Sequence, residues 1–104
     1  MKFYKNLYIG DTIKNPNKTK SKLKHHAKQL KVFVIMLSVG NDQLEICHSI
    51  LLGQPYYKKK ENKPYIIGIA GSYEEAVDLV CRIAKEAVEK NGNADLKGYL
   101  FPEI

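Results

Sequence analysis

The chain has no tryptophan, two cysteines and, among its 17 basic residues, a single arginine, Arg82. Each scarcity closes something off. Cys47 and Cys81 lie 34 positions apart with no second pair beside them, so neither a disulfide framework nor a cysteine-based zinc site has support. The longest apolar run, Val32 to Val39, is eight residues including Ser38. A membrane-spanning helix requires roughly 20. Met1 to Gly10 carries Lys2 and Lys5 and lacks an apolar stretch with a small-residue cleavage site, so no signal peptide is expected. Seven glycines and four prolines are too few for a collagen-like or low-complexity chain, and 44% hydrophobic residues are too many for a disordered one. The expectation is a cytoplasmic protein with reduced thiols, no membrane partner and, over residues 1–104, a single domain.

What is present is ordered by periodicity. Phe3, Leu7 and Ile9 alternate with Tyr4, Asn6 and Tyr8, which predicts an edge strand or an aromatic arm within residues 1–15. Asn15-Pro16 is a helix start, with Asn as cap and Pro in the first turn. From there Pro16, Thr19, Leu23, Ala27 and Leu30 form one narrow apolar stripe on a basic helix spanning 16–31. Residues 32–71 read as a three-stranded sheet. Val32 to Val39 is the strand buried on both faces, and a reversal at Gly40-Asn41-Asp42 leads to a second strand over Leu44 to Leu52. After a basic loop, Tyr65 to Ala70 is the third, with Gly68 and Ala70 leaving room for a helix to lie close. Ser72 and Glu75 make a capping box for an amphipathic helix over 73–91, which Gly92 ends. Its stripe is Ala76, Val77, Val80, Ile83, Ala84, Ala87 and Val88, with Cys81 expected on the apolar side. The tail, 94–104, carries no assignable pattern. The fold class expected is α+β: a two-layer sandwich in α-β-β-β-α order, with an antiparallel sheet of three to four strands and both helices on one face.

That order, over about residues 16–91, is similar to that of the double-stranded-RNA-binding domain. The stretch Gly68-Ile69-Ala70-Gly71-Ser72-Tyr73-Glu74-Glu75-Ala76 also resembles the Gly-and-Ser start of that family's last helix. The family holds phosphates with lysines at the start of that helix. This chain has Tyr73, Glu74 and Glu75 there, so the family's activity does not carry over.

Charge is unevenly spread. Residues 1–32 hold nine lysines and only Asp11, a local +8, whereas residues 65–104 carry a local −3, within a formal net charge of +6. On the first helix Lys20, Lys24, Lys28 and Lys31 follow three-and-four spacing, and Lys18, Lys22 and the His25-His26 pair widen the ridge. Lysines so arranged suit the phosphate backbone of a nucleic acid; the bland alternative is a solvated face that keeps the protein dispersed. The loop Tyr56-Tyr57-Lys58-Lys59-Lys60 adds aromatics that either stack on exposed bases or cap the core. Bidentate reading of base edges prefers arginine, so contact to backbone and not to sequence is expected.

Conventional catalytic patterns do not emerge. Cys47 and His48 are neighbours on a strand and point to opposite faces, so they form neither a nucleophile–base pair nor a metal site. Gly68-x-x-Gly71-Ser72 lacks the P-loop lysine, and its glutamates oppose an anion. No catalytic residue, metal site or cofactor is nominated; an unrecognised site would show as a deep pocket lined by His48, Tyr65 or Glu45. The sequence thus points to a non-enzymatic binding protein. Its partner is a nucleic-acid backbone or an acidic protein, including a second copy whose oppositely charged helix meets the basic one.

Overall fold

A computed structural model describes residues 2–37, 43–59, 64–92 and 96–100. Strand β1 is Lys2–Ile9, helix α1 Pro16–His26, β2 Phe33–Leu37, β3 Leu44–His48, α2 Pro55–Lys58, β4 Tyr65–Ala70, α3 Tyr73–Asn91 and α4 Leu96–Leu100; 3-10 turns follow α1 at Ala27–Gln29 and β3 at Ser49–Gly53. The class is α+β, but the sheet is mixed and not antiparallel. Its order is β1-β4-β2-β3, with β1 parallel to β4 and the other two pairs antiparallel. The N-terminal segment is therefore an edge strand of this sheet and no arm: Tyr8 is 8% exposed, and Phe3 and Tyr4 pack against the core.

The two main helices lie on opposite faces, which overturns the two-layer expectation. Alternation along β2 sends Ile35 to one side with Ile67, Ala76, Leu79 and Ile83, the last three from α3. Val34 and Met36 go to the other side with Ile66, Ile69 and the α1 residue Leu23. A sheet covered on both faces needs central strands that are apolar throughout, and β4 and β2 are those strands, five of six and three of five residues being buried. Likeness to the double-stranded-RNA-binding domain stops at the order of elements.

Local signals explain the helices. The Asn15 side chain accepts from Lys18 N at 3.1 Å and Pro16 occupies the first turn. Helix α1 ends at His26, short of the expected 31, and the chain continues through a 3-10 turn to β2. Ser72 Oγ accepts from Glu75 N, and Gly92 closes α3 with φ 72° and an N–H bond to Val88 O. The buried stripe of α3 runs through Ala76, Leu79, Ile83 and Ala87, with Val77 and Val88 on its exposed margin. Cys81 is exposed, not on the apolar side; Cys47 is buried.

Two departures have clear causes. Register shifts between Phe3 and Tyr8 on β1, and between Ile35 and Met36 on β2, both fall opposite the Ile66-to-Gly68 stretch of β4. This is a bulge, and Gly68 sits in it because a Cβ there would press on Ile35 Cδ1 and Tyr8 O, both at 3.2 Å. The second strand stops at His48 and not at Leu52 because Ser49 is captured. Its Oγ donates to Leu30 O at 2.6 Å and accepts from Val32 N at 3.2 Å, while its own N–H bonds Val32 O at 2.8 Å. The reversal expected at Gly40-Asn41-Asp42 lies outside the described residues.

Candidate nucleic-acid interface

Helix α1 is anchored by one side chain and cationic elsewhere. Leu23 is 1% exposed, Ala27 is buried beside it, and Thr19 and Leu30 are half-buried, as the narrow stripe predicts. Lys18, Lys22, Lys24 and Lys31 are exposed and Lys20 is half-buried. The ammonium groups of Lys20 and Lys24 both lie over the Phe3 ring, 5.3 and 5.5 Å from its centroid. Each such contact contributes on the order of 0.5–1 kcal/mol at an exposed site. Phe3, read from the sequence as part of an edge strand or aromatic arm, is thus the floor under two of the ridge lysines. Lys28 falls in the 3-10 turn that continues the helix.

Among the described residues the ion pair found is Arg82 with Glu86, at 3.3 Å, so no carboxylate offsets the α1 lysines. His25 and His26 share the last turn with Lys24, where positive charge faces the helix C-terminus favourably.

The Tyr56–Lys60 segment splits in two. Tyr57 is half-buried against the cluster that holds Leu23, whereas Tyr56 is 59% exposed. Their rings cross at 85° with centroids 5.0 Å apart. Burial pushes the Tyr57 hydroxyl up, with the Cys47 thiol adding to the shift, and burial also raises that thiol. Lys58 ends α2, Lys59 is exposed, and Lys60 lies outside the described residues. The 3-10 turns Ala27–Gln29 and Ser49–Gly53 pack on each other, and the second leads directly into α2. Helix α1 and the Tyr56–Lys59 segment consequently cover the same side of the sheet. Ile50 and Leu51, expected within a strand, project from the connecting turn at 51% and 42% exposure.

The opposite side is acidic. A cleft of about 340 Å³ opens where the parallel strands β1 and β4 end, lined by Asp11, Glu74, Glu75, Asp78 and Arg82 among others. His48, Tyr65 and Glu45 are not among its walls. Glu75 does not complete the capping box by reaching its cap. Instead its carboxylate accepts from Gly71 N at 2.8 Å, from Thr12 Oγ1 at 2.7 Å and from Thr12 N at 3.3 Å. The Gly71 N–H, then the Thr12 hydroxyl, hold this carboxyl below its ordinary range. The amide that an anion would need at this turn already serves a carboxylate of the chain itself, so no phosphate cradle is formed there. His48 is likewise engaged, its Nδ1 accepting from Ile50 N at 3.1 Å and its ring meeting Phe33 edge-on.

Compared with known protein families, with curated proteins and with solved structures, the chain matches none. Among the described residues no helix is long and apolar enough to cross a membrane, and no group of three or more His, Cys, Asp or Glu is placed to hold a metal.

Proposed function

We infer that the protein binds nucleic acid through phosphate contacts from Lys18, Lys20, Lys22, Lys24, Lys28 and Lys31, assisted by the Tyr56–Lys60 segment. The observation that most supports this reading is the placement of α1 and α2 over one side of the sheet, with no carboxylate paired to the described lysines. Lysines at three-and-four spacing repel, costing an isolated helix a few tenths of a kcal/mol per pair. A polyanion laid along the ridge removes that cost, and lysine ammonium groups contact phosphates without reading bases. The test is binding of a labelled oligonucleotide at about 50 and 200 mM salt, across which affinity for a protein with several phosphate contacts falls by orders of magnitude. Absence of binding at the lower salt, or binding indifferent to salt, rejects the reading.

A second reading, self-association of the basic face with an acidic one, is favoured by the cleft at Asp11, Glu74 and Asp78 on the far side of the sheet. Light scattering at two ionic strengths separates the two. A species that stays monomeric at every concentration removes self-association and leaves, of the protein-partner reading, only a different acidic protein.

A further inference from the structure

We propose that the polyanion taken by the basic face is an unpaired strand, and that Tyr56 is the platform on which one of its bases stacks. This rests on the nucleic-acid reading above and narrows it to a ligand class. Of the two adjacent tyrosines, Tyr57 is spent on the core and Tyr56 is not. The Tyr57 ring stands edge-on to Tyr56 at 5.0 Å, which holds the exposed ring in place. The backbone beneath is pinned at both ends of the turn: Gln54 N donates to Leu51 O at 3.2 Å and Tyr57 N to Gln54 O at 3.1 Å, with Pro55 between them. A ring held this way loses little freedom when it is covered, and that is what a stacking surface needs.

The surroundings fit the same ligand. Ile50 and Leu51 sit exposed in the turn that precedes Tyr56, giving a base an apolar rim, and Lys59 follows three residues later for the adjoining phosphate. Helix α1, which carries the lysines, packs on the same side of the sheet. A duplex keeps its base faces covered by stacking and offers only edges and phosphates. An unpaired strand presents its base faces, and every base has one, so recognition is tolerant of sequence. That tolerance agrees with a basic surface built from lysine, whose point charge does not read base edges.

The experiment compares a labelled single strand of mixed sequence with its duplex by fluorescence anisotropy, using the full chain and the variants Tyr56→Ala and Tyr56→Phe. Tyr56 is exposed, so both variants keep the parent's thermal unfolding. The single strand is expected to bind more tightly than the duplex. Tyr56→Ala weakens it about five- to 150-fold, the range for losing one stacked base, while Tyr56→Phe retains most of the affinity and duplex binding is unmoved. Equal or tighter binding of the duplex, or a Tyr56→Ala protein that holds the strand like the parent, overturns this inference and leaves phosphate binding standing. If neither nucleic acid binds, both readings fall.

Discussion

Glu75 carries more of this structure than its half-buried position suggests. Three donors from two separate turns converge on its carboxylate, and the two glycines nearby exist for it. A Cβ on Gly10 would meet the Glu75 carboxylate, and one on Gly71 would meet the Thr12 hydroxyl. The glutamate could swing aside, but only by giving up its bonds. Gly10→Ala and Glu75→Ala are therefore expected to destabilise by similar amounts, about 0.5–1.5 kcal/mol each because the bonds are exposed to solvent, since both remove the same charge-assisted bonds. The double variant should cost little more than either single one, and urea unfolding of the three proteins measures this. Because the carboxyl is held below its ordinary range, it favours the folded state most at pH values above that range. This contribution fades as pH falls through the group's lowered folded value, so the gap between parent and Glu75→Ala narrows in acid.

Elements whose partners are close in sequence were readable, and those whose partners are distant were not. Helix α3 announces itself through the Ser72 cap, an apolar stripe that includes Ala76, Ile83 and Ala87, and Gly92, all local features, although the stripe read from the sequence left out the buried Leu79 and took in the exposed Val77 and Val88. The β2–β3 hairpin is equally local. The parallel pairing of β1 with β4 joins residues 60 or more positions apart, such as Phe3 and Ile66, and no periodicity within either strand encodes it. Once β1 takes that edge, α1 is delivered to the face away from α3, and the two-layer expectation fails with it. The surface was legible to the same degree. The spacing of Lys20 and Lys24 is visible in the sequence, but Lys28 and Lys31 fall beyond the end of α1, and two adjacent tyrosines are chemically identical, so which one faces water depends on the turn that follows β3. Ser49 is 0% exposed and its hydroxyl ties Leu30 and Val32 to the end of β3. Ser49→Ala leaves the part-buried Val32 amide and Leu30 carbonyl without this partner, at a cost of about 1–2 kcal/mol. It should also loosen the turn that positions Tyr56. Hydrogen exchange would show this as lost protection at Val32 and Gln54 beyond the global change; an unaltered pattern would mean that the turn holds without the serine.

Across the molecule the sheet separates two electrical environments, a lysine-dominated side under α1 and α2 and the acidic cleft beside α3. Two tyrosines reinforce the acidic side mechanically: Tyr8 Oη donates to Glu86 Oε1 at 2.7 Å and Tyr99 Oη to the same atom at 3.2 Å, joining β1 and α4 to α3. Burial, then Tyr99 and Glu86, push the Tyr8 hydroxyl up, so Tyr8 keeps its proton, and its bond to Glu86, well above the ordinary tyrosine range. The separation allows net charge and its location to be varied independently. Replacing Lys18, Lys20, Lys22 and Lys24 with glutamine should lower the slope of log affinity against log salt by about 2.8 for a single strand, if each lysine neutralises one phosphate. Adding Glu74→Lys and Asp78→Lys to that protein returns the formal net charge to +6, but places it across the sheet. If binding follows the α1 face, the six-fold variant stays as weak as the four-fold one. If overall charge alone attracts the nucleic acid, affinity returns to that of the parent, and the lysine ridge is only one cationic surface among others.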